Sequence, residues 1–332
     1  MRLDTIGKIQ VKQLHMHGLN KVMNYKINKV VITGGSGGVG LALINKLLSE
    51  GVKILLFQRA DSERKKYIPH NEKIKIEYYA LDQLKNFVPE ESDYDVFFHL
   101  GWTNTKKQSR DDLIKQEENV TYSCDAVELA HRLGCHTFIG AGSQAEYGRV
   151  NGPLRGDTLC EPETAYGIMK LCACYSTKLL CKNYGMRHIW LRILSGYGAY
   201  DNVDSMLISN ILKSLHHEQL AFSKGEQIWD YIYMDDIADA MFAVAQKGKD
   251  GAIYPVGSGE ARQLCEYIKI LCQLLGEDWH ESIGKIPYSD KQIMHLEADI
   301  SELTRDTGWE PRISFEEGIE RVIDFYREWG EK

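Results

Sequence analysis

No stretch of this 332-residue chain approaches the ~18 consecutive apolar residues that a membrane-crossing helix needs, although 43% of its residues are hydrophobic. Basic charge is not in excess either. Forty Lys and Arg stand against 47 Asp and Glu, a net charge of −7. That argues against a nucleic-acid partner, since phosphate binding needs a concentrated basic surface. The eight cysteines (124, 135, 160, 172, 174, 181, 265 and 272) form no Cys-x-x-Cys pair and no His–Cys zinc spacing. No metal site is expected from them, and a reduced, cytoplasmic setting is the simplest reading. Cys172, Cys174 and Cys181 share one helical segment and read as small buried residues. Residues 1–28 lack the apolar core of a secretory signal and read as an N-terminal extension, with Met23 a candidate natural start. Internal repeats, low-complexity segments and clear linkers are also missing. The chain is long enough to bury a sizeable core in one large domain or two intimate ones.

What is there is alternation. Apolar runs at Lys29–Thr33, Lys53–Gln58, Ile74–Tyr79, Val96–Leu100, His136–Ala141 and His188–Ile193 read as strands. Being apolar nearly throughout, they suit a parallel sheet covered on both faces. Helical patterns lie between them at Val39–Glu50, Asp112–Leu133 and Thr164–Tyr184, each followed by a stopping glycine: Gly51, Gly134 and Gly185. The expected fold is α/β, a doubly wound parallel Rossmann sheet over residues 29–195 that also receives segments near 230–256. Residues 196–332 form mainly a smaller mixed α/β substrate-binding lobe. Within it, Met206–Leu215, Arg262–Leu275 and Phe315–Trp329 read as helical, and Asp235 and Asp236 are placed to cap the helix that follows them.

Three constellations carry chemistry. Gly34, Gly37 and Gly40 form Gly-x-x-Gly-x-x-Gly at the first strand-to-helix junction, where Gly38, Val39 and the helix N-terminus offer free N–H groups to a pyrophosphate. The second strand ends in Gln58-Arg59 with no carboxylate before Asp61. Arg59 there is placed to stack on adenine or to meet a 2′-phosphate, which favours NADP over NAD, and Arg64, Lys65 and Lys66 add positive charge; an ordinary solvated basic loop is the alternative. Tyr166 and Lys170, four residues apart on a helix, face the same side, and a nearby ammonium suits a tyrosine to exchange a proton with an alcohol or ketone oxygen. Ser143, just after the preceding strand, can donate a second hydrogen bond to that oxygen. Tyr25 and Lys29 share the spacing without that context.

Taken in order, Thr33–Gly40, Phe98-His-Leu-Gly101, Asn119-Val120, Gly142–Gly148, Pro162 to Lys170, Leu191-Arg192, Trp229–Asp236, Val256–Gly259 and Gly308–Pro311 resemble the extended short-chain dehydrogenase/reductases. This is the family of nucleotide-sugar 4-epimerases, 4,6-dehydratases and 4-ketoreductases, and the resemblance runs from about residue 29 to 329. It implies that Ser143 and Tyr166 contact the reacting sugar oxygen and that Lys170 binds the nicotinamide ribose. It also implies that Leu100 and Gly101 line the cofactor. Departures narrow the chemistry. Gln144 and Ala145 stand where dehydratases resemble Asp-Glu, and Glu146 is one position late and points elsewhere. The cysteine and histidine of the 3,5-epimerase/reductases are replaced by Ala145 and Tyr200. What remains is redox chemistry at C4. An NADPH-dependent 4-ketoreductase is expected, with a 4-epimerase retaining NAD as the alternative and a silent NADP-binding regulatory subunit as a third reading. Trp102, Gln144, Tyr200, Met206 and Trp229 are candidate substrate contacts; Trp229 replaces the arginine common before Asp-Tyr-Ile, and is as readily a buried structural residue. His99 reads as structural. A nucleotide-sugar substrate and a homodimer through the helices of Asp112–Leu133 and Thr164–Tyr184 are implied by analogy.

Overall fold

In the computed structural model, residues 24–105 and 109–330 are described. Most of the proposed N-terminal extension, Met23 included, lies outside them. Eleven strands occur among the described residues: β1 (Lys29–Thr33), β2 (Lys53–Phe57), β3 (Ile74–Glu77), β4 (Val96–His99), β5 (Thr137–Ser143), β6 (Arg187–Ile193), β7 (Ser195–Tyr197), β8 (Ile228–Trp229), β9 (Tyr231–Tyr233), β10 (Ile253–Val256) and β11 (Arg262–Gln263). The helices are α1 (Gly38–Ser49), α2 (Leu113–Arg132), α3 (Ala165–Tyr184), α4 (Met206–Leu215), α5 (Met234–Lys247), α6 (Leu264–Leu275), α7 (Trp279–Ser282), α8 (Ser301–Thr307) and α9 (Phe315–Gly330). No helix among the described residues is long and apolar enough to cross a membrane.

Seven strands pair in parallel in the order β10-β6-β5-β4-β1-β2-β3. Period-two geometry explains why these strands are apolar on every residue. Val30 and Ile32 of β1 enter a core with Leu43 and Ile44 of α1 and Ile237 and Met241 of α5, whereas Val31 between them faces a core with Ala126 and Val127 of α2 and Cys181 of α3. The chain turns outward in both directions from β1, so the crevice beyond the ends of β1 and β4 is the point at which α/β sheets bind ligands. Helices α1, α2 and α3 end against left-handed Gly51, Gly134 and Gly185, as read from the sequence.

A second core holds Leu207, Ile208 and Ile211 of α4, Ile268 and Leu271 of α6, and Ile319 and Val322 of α9, with β7 paired to β9 and β8 to β11. Two local readings need correction. Helix α5 starts at Met234, one residue before the two aspartates, with no side-chain cap. The Asp236 carboxylate instead accepts hydrogen bonds from the amides of Arg312 and Ile313 (both 3.0 Å), fastening the approach to α9. Cys174 and Cys181 are buried, but Cys172 is exposed, because it stands on the outward face of α3 with Ile168, Tyr175 and Leu179.

Candidate active site

The glycine loop closes onto the end of β4. Gly34 has φ +76°, and a Cβ there would lie 2.6 Å from the Gly101 nitrogen, so only glycine fits. The first hydrogen bond of α1 runs from Leu41 N to Gly37 O (2.8 Å), which leaves the amides of Gly38, Val39 and Gly40 ahead of it. No side chain caps this helix. A free helix N-terminus opening on a cleft suits a pyrophosphate. The Thr33 hydroxyl bonds His99 Nδ1 (2.9 Å), and Ser123 meets His99 Nε2 (3.1 Å). Burial, helped by the Lys170 charge, pushes the His99 imidazole down to about 3, so it stays neutral and structural. Asn119 Oδ1 accepts from the Thr103 amide (2.7 Å) and fixes the loop beyond Gly101.

A cleft of about 840 Å³ runs from this loop to the start of α3. Its lining brings together Gly34, Gly37, Gly38, Val39, Gly40, Arg59, Leu100, Gly101, Trp102, Ser143, Gln144, Tyr166 and Lys170. That volume and the row of free amides fit a dinucleotide with room for a second ligand. Tyr200, Met206 and Trp229 stand outside the lining. The Tyr200 ring packs on Tyr67 (4.5 Å between centroids) and Phe325 (4.7 Å). Met206 begins α4 against the second core, and Trp229 bridges two apolar clusters with its indole N–H buried and without a partner among the described residues. The decoy pair is structural: Tyr25 stacks on His136, while Lys29 pairs with Glu91 and Asp93. Among the described residues, no group of three or more His, Cys, Asp or Glu is placed to hold a metal.

Thr164 caps α3 by accepting from the Gly167 amide (3.1 Å), which fixes where Tyr166 and Lys170 face. The Lys170 ammonium donates to Ala141 O at 2.6 Å and lies 3.8 Å over the Trp102 ring. Desolvation brings it down to about 7, against the pull of Glu146 and with a push from Arg110. Burial raises the Tyr166 phenol, while Arg110 and a hydrogen bond with Ser143 draw it back. Ser143 Oγ also donates to Gln144 Oε1 (2.7 Å). Trp102 meets the Tyr166 ring edge-on at 5.9 Å and is held by its indole bond to Gln116 (2.8 Å).

Two residues were invisible to motif reading. Arg110 places its guanidinium 4.2 Å from the centre of the Tyr166 ring; contact across a loop has no sequence spacing to reveal it. Asp201 is the one carboxylate among the described residues lining the cleft, and burial pushes it up to about 6. It sits by Ser205 and Arg64, and Arg64 donates to Ser36 O (2.8 Å) and Tyr200 O, at the cofactor-loop rim.

The family model described as "NAD dependent epimerase/dehydratase family" matches residues 30–257. The chain is 23% identical to the dTDP-glucose 4,6-dehydratase of Escherichia coli, covering 92% of this chain and 96% of that protein. It is 24% identical to the dTDP-4-dehydro-6-deoxyglucose reductase of Escherichia coli, over 92% and 99%. Among solved structures, the UDP-N-acetylglucosamine 4-epimerase of Methanobrevibacter ruminantium superposes with TM-score 0.82 at 23% identity, covering 92% of this chain and all of that one. The UDP-glucose 4-epimerase of Thermotoga maritima superposes at 0.81 with 21% identity, over 91% and 99%. With the family model spanning the sheet from β1 through β10, and the glycine loop and the Ser143–Tyr166–Lys170 cluster meeting in one cleft, the chain belongs to the NAD dependent epimerase/dehydratase family, the extended short-chain dehydrogenase/reductases that act on nucleotide sugars.

Proposed function

We propose that this protein works at sugar C4 and reduces a nucleotide-linked 4-keto-6-deoxy sugar with NADPH. The observation that carries the reading is where Glu146 goes. Its carboxylate is fully buried, accepting from the Ser143 amide (2.8 Å), Trp190 Nε1 (3.0 Å) and Arg192 Nε (2.8 Å). The Ser143–Tyr147 segment therefore sends no acid into the cleft, and elimination of water has no acid–base partner there. Asp201, which lines the cleft from a different segment, accepts from the Asn202 amide (2.7 Å). Proton exchange with one oxygen, in step with hydride transfer, is what the remaining groups can support.

A bound nicotinamide would supply the hydride chemistry. Of this chain's residues, Ser143 donates to the C4 oxygen and fixes its place, and Tyr166 gives that oxygen a proton as ketone becomes alcohol. Lys170 holds the cofactor ribose beside them. Gly38, Val39 and Gly40 present their amides to the pyrophosphate. Trp102 and Gln144 wall the sugar side. We place NADP ahead of NAD because Arg59, at the cleft rim and 60% exposed, has among the described residues only a loose ion-pair partner, Asp61 at 3.9 Å. Its basic neighbours are more engaged: Arg64 as described above, and Lys65 on Ala60 O (2.8 Å). The second reading, a 4-epimerase retaining NAD, uses the same three residues and is equally consistent with a withdrawn Glu146.

The assembly proposed is a homodimer through α2 and α3, supported by the stripe Ile168, Cys172, Tyr175 and Leu179 exposed along α3. Eight unpaired cysteines fit a reducing, cytoplasmic setting.

The test is to mix NADPH with a nucleotide-linked 4-keto-6-deoxy sugar and follow absorbance of the reduced cofactor. Stoichiometric loss is expected, at a rate reduced roughly 100-fold or more in Tyr166→Phe. Arg59→Ala should weaken NADPH binding roughly 10- to 100-fold and leave NADH binding nearly unchanged. C4 inversion of a UDP-hexose without added cofactor would assign the epimerase. Cofactor binding with no turnover on any nucleotide sugar would assign the silent subunit.

A further inference from the structure

Arg110 lies over the face of the Tyr166 ring, its guanidinium carbon 4.2 Å from the ring centre, nearer than the Lys170 ammonium at 5.8 Å. The backbone holds it there. Arg110 O accepts from the Tyr166 amide (2.9 Å), and Ser109 O accepts from Gln116 Nε2 (3.0 Å), the same glutamine that fixes Trp102. Among the described residues no carboxylate pairs with the Arg110 side chain; Asp112 is taken by Lys115 (2.9 Å). The ring is thus held between a guanidinium on its face and an indole at its edge.

We propose that Arg110 is a positioning residue for this reaction, stacked on Tyr166 to supply the standing positive charge against which the tyrosine yields and regains its proton. The inference rests on the reading of Tyr166 as the proton-exchanging group. A phenolate spreads its charge into the ring, so a cation over the face favours the ionised form more than the neutral one. Among the described residues, the charged and titratable groups facing Tyr166 are Arg110 from the loop before α2, Ser143 and Glu146 from the end of β5 and the turn after it, and Lys170 from α3. Glu146 opposes ionisation and is neutralised by Arg192. Lys170, brought down to about 7 by burial, loses its charge as the pH rises above that. An arginine does not. Among the described residues, Arg110 is therefore the cation that persists beside the ring above neutrality.

The experiment is a difference absorbance titration of tyrosinate in cofactor-free protein, each form measured against its own Tyr166→Phe counterpart. It is run for wild type, Arg110→Gln and Arg110→Lys, alongside pH profiles of kcat and KM. Arg110→Gln should move the Tyr166 midpoint up by about one pH unit or more, the scale of one nearby charge. The limb of kcat governed by Tyr166 should move with it, by about tenfold in rate on its steep side, with KM for the sugar little changed. Arg110→Lys should return the midpoint toward wild type. An unmoved midpoint overturns the proposal. So does an activity loss equal at every pH, which marks a structural role, or an effect on KM alone, which marks a contact to a substrate anion. Because the titration needs no sugar, its outcome is separable from the substrate reading, which full activity of Tyr166→Phe would sink instead.

Discussion

Lys170 is only 4% exposed, and the same residue is asked to be charged and dry. Its ammonium has one carbonyl, Ala141 O, and the Trp102 face as partners, and desolvation outweighs them, hence a value about 7. The consequence for stability has a definite sign. Between about pH 7 and the unfolded value of about 10.4, the unfolded chain holds a proton on this lysine that the folded one has lost, so this term makes stability rise with pH. Below about 7 the penalty is fully present. Lys170→Met removes it, and urea unfolding of cofactor-free protein should show the variant's advantage greatest below pH 7 and shrinking through pH 8 to 10. A stability difference that stays constant with pH would show that Lys170 is not desolvated as described. The meeting of Ser143, Tyr166 and Lys170 in one cleft was legible from residue type, spacing and order. The Arg110 stack, the place of Asp201 in the cleft wall and the burial of the Trp229 indole were not, because each depends on which loops fold against one another.

The turn after β5 shows how an element positions chemistry from behind. Glu146 and Arg192 form an ion pair at 2.8 Å with both side chains essentially unexposed, and the Arg192 guanidinium also stacks on the Tyr147 ring at 4.4 Å. Gly142 leaves room for the arrangement: a Cβ there would lie 2.2 Å from Trp190 Nε1 and 2.5 Å from Glu146 Oε1. Removing one member of a buried pair strands the other charge. Glu146→Ala should therefore cost about 3–5 kcal/mol in chemical unfolding, and a loss under about 1 kcal/mol would contradict the tether. The core strands were legible because burial on both faces makes them apolar throughout. β10 was not identified as a strand, since Pro255 interrupts Ile253–Val256. A proline is tolerated there because β10 is the sheet edge, paired only with β6, and its missing N–H would face no partner. β7, β8, β9 and β11 span two or three residues each, too short for alternation to register.

At the scale of the molecule, two surfaces follow from one architecture: a cleft at the carboxyl ends of the strands, and an apolar stripe on α3 turned away from the sheet. Tyr175 and Leu179 are 58% and 61% exposed within that stripe. Light scattering on the full chain should give a dimer mass that falls to monomer in Tyr175→Glu with Leu179→Glu; a monomeric wild type would remove the dimer from the account. In the cleft, Ser143, Tyr166 and Lys170 are proposed to serve hydride chemistry at sugar C4. The most direct measurement supplies NADPH deuterated on its transferable position together with a nucleotide-linked 4-keto-6-deoxy sugar, and locates the label in the product by NMR. Deuterium is expected on C4, one atom per cofactor oxidised, with the rate of label incorporation reduced roughly 100-fold or more in Tyr166→Phe. Product labelled at any other carbon, or cofactor consumed with no deuterium in the sugar, would contradict that role.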